Sequence, residues 1–216
     1  MQTQGGARLV FKNAQEALLK ANINPRNAIL SQSYLRFENF LSTSKTSYDF
    51  GVLNNQNISG QAQTPTENRL NLQDAFYVSE IMVYIAKAAS ATDSSYKLET
   101  YPSSQVFTTV GAAVALYTLY NGNLALTVNN RQIVPHSDLV KFLQIPQTQQ
   151  TAAVNSPKDQ FNGNYSSVVE PNLVLIGQKN SLFNITIPSA FAALDANTKV
   201  VIVVRGVLAQ NVTVVS

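Results

Sequence analysis

From residue 34 onward, short β-branched and aromatic runs alternate with clusters of Asn, Gly, Pro, Ser and Thr. That rhythm leaves little room for long helices and favours many short strands. The runs "YLRFENFL" (34–41) and "TSYDFGVL" (46–53) come first. In "FYVSEIMVYIAKAAS" (76–90), Val78, Ile81, Met82 and Ile85 fit a helical stripe, but the β-branched and aromatic content favours a long buried strand. "YKLETY" and "QVFTTV" follow, and "LVLIGQ", "SLFNITIP", "TKVVIVVRGVLAQ" and a candidate edge "VTVVS" close the chain. About nine to eleven strands at short spacing predict an all-β fold, a β-sandwich with jelly roll as the favoured topology. No fixed-period repeat points to a propeller or solenoid.

Two short helices interrupt this texture. "NAQEALLKANINP" reads as a helix with Asn13 as N-cap, Glu16 at its third position and Pro25 beyond its end. "SDLVKFL" (137–143) reads as another, capped by Ser137. Residues 54–69 and 146–171 are polar loops, the second too long for an idle connection. The expected organisation is an arm and helix over 1–30, then a single sandwich over 31–216.

The stretch "ALYTLYNGNLALTVNN" (115–130) predicts a β-hairpin, because Asn121-Gly122 suits a type I′ turn. That turn would pair Tyr120 with Asn123, Leu119 with Leu124 and Tyr117 with Leu126. One face would then hold Ala115, Tyr117, Leu119, Leu124, Leu126 and Val128 as core. The other would hold Leu116, Thr118, Tyr120, Asn123, Ala125 and Thr127, with no charge among them. Solvent-facing sheets ordinarily carry charges that keep them soluble and apart. The expectation is therefore a contact through Leu116, Thr118, Tyr120 and Thr127, covered by another subunit or by a second sheet of the same chain.

Composition agrees with a life spent packed against neighbours. Charged residues are 12% of the chain, about half the usual share, while 22 Asn and 17 Gln outnumber the 27 charged residues. Amides keep hydrogen-bonding capacity without the cost of stripping water from ions. The net charge of +3 is uneven. Residues 1–45 hold six basic side chains (Arg8, Lys12, Lys20, Arg26, Arg36, Lys45) against Glu16 and Glu38, which is +4, and the remainder nets −1. Arg8, Lys12 and Lys20 are thus candidate contacts to phosphates or anionic headgroups, although ordinary solvated charges explain them more simply.

Chemistry is harder to find. The single His136 lies two residues from Asp138 with no Gly-x-Ser-x-Gly elbow, and there is no Cys, so the usual triads and zinc sets are missing. No Asp-x-Asp-x-Asp loop or phosphate-cradling glycine loop occurs, and "ATDSS" (91–95) is only weakly calcium-like. Four sequons, at Asn57, Asn164, Asn184 and Asn211, are expected by chance in an Asn-rich chain. The expectation is a non-enzyme with no cofactor, metal or small-molecule substrate. "MQTQGGARLVFKNAQ" lacks the apolar core of a secretory signal, which predicts synthesis in a cytoplasm.

The arm and helix at 7–22, the run "NRLNLQDAFYVSEIMVYIAKAAS" and the closing "NSLFNITIP" and "KVVIVVRGVLAQ" give the chain a texture that resembles jelly-roll capsid proteins of tailless bacteriophages. The resemblance spans most of the chain without a diagnostic motif. It implies a virion location and self-assembly into a shell. It also implies contacts with other virion proteins, and with a genome or internal membrane through the N-terminal arm. The competing class is a β-sandwich binding module: a receptor-binding, head-decoration or lectin-like protein, with Tyr96, Tyr101, Tyr117 and Tyr120 as its aromatic surface.

Overall fold

The computed structural model describes residues 4–54, 68–93, 95–145 and 167–214. Helix α1 (Gln4–Lys20) leads into β1 (Ile23–Asn24), β2 (Ile29–Phe40), β3 (Ser47–Asn54), β4 (Arg69–Leu70), β5 (Ala75–Lys87) and β6 (Leu98–Glu99). Helix α2 (Ala112–Tyr120) is followed by β7 (Asn123–Val128), β8 (Arg131–Asp138), β9 (Ser167–Ile176), β10 (Ser181–Thr186), β11 (Thr198–Gln210) and β12 (Thr213–Val214). The strands form two main antiparallel sheets. One has β2, β11 and β5 in order, with β9 and β6 on the far side of β5. The other runs β4-β3-β10-β7-β8, with only the short β4 parallel.

The sheets face each other as a sandwich. Leu35, Phe37, Val83, Ile85, Val200, Ile202 and Val204 from the first meet Tyr48, Phe50, Leu124, Leu126, Phe183 and Ile185 from the second. The Phe37 and Phe183 rings lie 5.2 Å apart at the centre of this core. The pairing is nested: β2 with β11, β3 with β10, β5 with β9, and β7 with β8. Such nesting makes the chain cross between the sheets repeatedly.

Strand β5 explains its own ambiguous sequence. A bulge at Ser79-Glu80, opposite Arg205-Gly206, shifts the alternation by one residue. Val78 and Ile81 therefore both enter the core, at a spacing of three that imitates a helix. Ser79 Oγ donates to Arg205 O at 3.0 Å and ties the bulge across the pair. A Cβ at Gly206 would collide with Tyr77 O, so only glycine permits this approach.

Helix α1 is longer than the sequence predicts. Asn13 lies within it and is no N-cap, because the preceding residues continue the helix to Gln4. Its end comes where Asn22 takes a left-handed φ of 60° and Ala21 N–H returns to Ala17 O. The helix lies outside the two sheets as a third layer, and is docked there. Ala14, Ala17 and Leu18 are fully buried against Tyr77, Val207, Ile176 and Ala209 of the first sheet.

Residues 115–128 do not form the expected hairpin. Ala112–Tyr120 is helical, and Ala112, Leu116, Leu119 and Tyr120 share its buried face. Asn121 has an ordinary φ of −85°, so Asn121-Gly122 ends a helix; it makes no I′ turn. The left-handed pair is Asn129-Asn130 (φ 49° and 62°), which joins β7 to β8. Ala and Leu are strong helix formers, and tertiary burial of an i, i+4, i+7 stripe outweighs the local turn signal.

Smaller corrections follow the same pattern. "QVFTTV" is a turn region with no strand. "SDLVKFL" is split between the end of β8 and a 3-10 turn at Val140–Phe142, where Asp138 rather than Ser137 accepts the Val140 N–H at 3.0 Å. Among the described residues β12 pairs only with β1, away from the main sheets. The polar loops at 54–69 and 146–171 fall largely outside the described residues.

Candidate assembly surfaces

Helix α2 packs against the main core and presents an uncharged outer surface. Its inner stripe is buried, and the Tyr120 hydroxyl donates to Thr100 O at 3.1 Å. Burial pushes the Tyr120 pKa well above its ordinary value, since a phenolate would have to shed its water. The opposite side faces outward: Val114 is 75% exposed and Tyr117 37%, and Val110, in the turn before the helix, is 95% exposed. No charged residue occurs between Thr100 and Asn130. Apolar side chains displayed on an uncharged helix are what an interface needs, because little must be desolvated when it is covered.

The approach to α2 is held by Asp195. Its side chain is 6% exposed and accepts from Lys87 Nζ and Thr109 Oγ1, each at 2.8 Å, with Thr109 N–H at 3.3 Å. Thr198 Oγ1 donates to the Asp195 carbonyl at 2.8 Å. Burial alone would raise the Asp195 pKa, but the hydrogen bonds from Lys87 and Thr109, helped by the Lys87 charge, outweigh it and hold it below the ordinary value. Thr109 precedes Val110 directly, so this network positions the exposed stripe.

A second polar surface lies on the outer face of the first sheet. Arg36 Nη2 meets Glu38 Oε1 at 2.9 Å and donates to the Tyr96 hydroxyl at 2.8 Å. Lys199 Nζ lies 3.4 Å from Glu38, 4.6 Å from the Tyr96 ring centre and 4.8 Å from that of Phe40. Beneath it Met82, Tyr84, Ala86 and Val201 are buried, with Tyr96 and Leu98 packed over them. Burial, then the hydrogen bond with Glu38, pushes the Tyr96 pKa up to about 12. Cation–π contacts gain strength when desolvated, which suits a lysine this buried.

The expected contact residues are dispersed. Arg8, Lys12 and Lys20 all lie on α1, with Lys12 and Lys20 exposed; Lys20 sits in the last turn, where a cation complements the helix dipole. Leu116 and Tyr120 are inside the core, which explains their uncharged setting without a neighbour. Thr118 on α2 and Thr127 on β7 are half-buried and share no sheet. Tyr117, expected in the core, is instead on the exposed stripe. Its three-residue spacing from Val114 was readable, had 112–120 been treated as helix.

His136 is exposed on β8, and among the described residues no three His, Cys, Asp or Glu side chains cluster as a metal site. Asp93 lies at the surface; the backbone N–H groups of Ala89 and Ser95 hold its pKa down to about 2. Its oxygens accept from those N–H groups and from Ser95 Oγ, which makes it a turn-forming residue. Comparison with protein-family models, with curated proteins and with solved structures returns no match.

Proposed function

We propose that this chain is a structural subunit of a virus particle that assembles with copies of itself into a shell. The observation that carries the reading is the exposed, charge-free surface made by Val114 and Tyr117 on α2 and by Val110 in the turn just before it. The nested strand pairing supports taking the sandwich as a jelly roll, whose closed body offers loops and ends for contacts. The scarcity of charge over the rest of the chain favours the same reading. Fold alone assigns no function, so the surface has to be tested directly.

Electron microscopy and light scattering of the purified chain are the test. Particles or defined oligomers are expected from the wild type. The double variant Val114→Lys/Tyr117→Lys should stay folded and soluble, since both positions face outward, yet fail to form the same particles. A wild type that remains monomeric at all concentrations overturns the proposal, and so does a double variant that assembles normally.

A further inference from the structure

The first sheet ends on β2, whose only strand neighbour among the described residues is β11. The two pair without a break over twelve positions, from Ile29 opposite Gln210 to Phe40 opposite Lys199. Just beyond, Leu41 N–H donates to Thr198 O at 2.9 Å. Backbone bonding alternates along an antiparallel strand, so odd-numbered residues of β2 bond β11 and even-numbered ones point away. The N–H and C=O groups of Tyr34, Arg36, Glu38 and Phe40 therefore line the open edge.

Edges of this kind are normally guarded by proline, bulges or charged side chains. β8, at the edge of the second sheet, has Pro135 and two register shifts against β7. β2 has neither. Its outer face instead reads Tyr34, Arg36, Glu38, Phe40, with the two aromatic residues 47% and 41% exposed. The side chains of Arg36 and Glu38 are 22% and 8% exposed and already pair with each other within the chain, so a second copy would extend that pair across the edge. This order is self-complementary. A two-fold axis through Phe37 places Arg36 opposite Glu38 of a second copy, twice, and Tyr34 opposite Phe40, twice. Shifting the register by two residues either way puts Arg36 opposite Arg36, or Glu38 opposite Glu38. Cross-strand pairs of opposite charge and of aromatic rings stabilise a sheet, and like charges oppose it.

We infer that β2 is a homotypic docking edge, on which a second copy of this chain pairs antiparallel about Phe37 and continues the sheet across the two-fold. The contact is isologous, so each favourable pair occurs twice. Tyr34, Arg36, Glu38 and Phe40 of each strand supply roughly eight intermolecular backbone hydrogen bonds, since each bonded pair exchanges two. Choosing a second copy as the occupant rests on the assembly reading above, whereas the edge, its register and its charge order do not.

The test uses two full-length variants, Arg36→Glu and Glu38→Arg, with circular dichroism to establish that each is folded. Alone, each sets like charges across the axis and should be monomeric at concentrations where the wild type is dimeric by light scattering. Mixed in equal amounts, they restore both opposite-charge pairs and should form a heterodimer. A third variant, Tyr34→Pro, removes an edge N–H that β11 does not use, and should weaken the dimer at least tenfold with the fold kept. Hydrogen exchange supplies the direct readout: the amides of Tyr34, Arg36, Glu38 and Phe40 should be slow in the wild-type dimer and fast in Arg36→Glu. Oligomers that survive all three substitutions with fast-exchanging edge amides overturn the docking edge and leave the shell reading standing. Edge-paired dimers that never grow further uphold the docking edge and refute the shell. A wild type that is monomeric throughout refutes both.

Discussion

Replacing Asp195 with Asn tests how the exposed end of α2 is held in place. The carboxylate has two hydrogen bonds at 2.8 Å, from Lys87 Nζ and Thr109 Oγ1, and a weaker one at 3.3 Å from Thr109 N–H. A hydrogen bond to a charged group contributes about 1.5–3 kcal/mol. The Lys87 share is smaller, because its side chain is 28% exposed and water can replace the carboxylate. Asparagine retains the shape and one acceptor oxygen, so Thr109 keeps a neutral bond. The expected loss is about 2 kcal/mol, against a total stability of about 5–15 kcal/mol. For a chain of this length that lowers the melting temperature by roughly 4–8 °C.

Acid should close this gap. The folded pKa of Asp195 lies below its ordinary value, so its stabilisation is fully present above that value, near 3.8, and is lost as pH falls through the folded pKa. The asparagine that replaces it has no proton to gain in that window. Urea denaturation of wild type and variant should thus differ by about 2 kcal/mol at pH 7, and the gap should begin to shrink only as pH falls below about 3.8. A loss under about 0.5 kcal/mol at neutral pH, or a gap unchanged down to about pH 2, would refute the account of Asp195 as a charged anchor.

Two further substitutions test other links. Asn130→Val forces a β-branched residue into the left-handed turn between β7 and β8, and should cost about 1–2 kcal/mol in urea denaturation, whereas Asn130→Gly should be nearly neutral. Deleting residues 1–20 uncovers Tyr77, Val207, Ile176 and Ala209, so the truncated chain should melt at least several degrees lower and bind a hydrophobic dye; an unchanged melting curve would show that α1 contributes nothing to the fold.

The sandwich itself was legible in the sequence because strands carry a local period. β10 alternates Leu182, Asn184 and Thr186 outward with Phe183 and Ile185 inward, and no distant contact is needed to see it. The low charge was equally legible, although it does not say which surface is the free one. Around α2 the local signals conflicted: Asn121-Gly122 favoured a turn, while Ala112, Leu116, Leu119 and Tyr120 favoured a helix. Only burial of that stripe in the main core decided between them, and the decision exchanged the inner and outer faces. Tyr120 went into the core and Tyr117 came out. The helical spacing of Val78 and Ile81 was likewise a product of the bulge, which exists because β11 brings Gly206 against Tyr77. That β2 is an edge, with Arg36 and Glu38 set for a two-fold partner, follows from which strands claim β11. Period and propensity act over a few residues, whereas strand order is set by which distant apolar faces bury each other best.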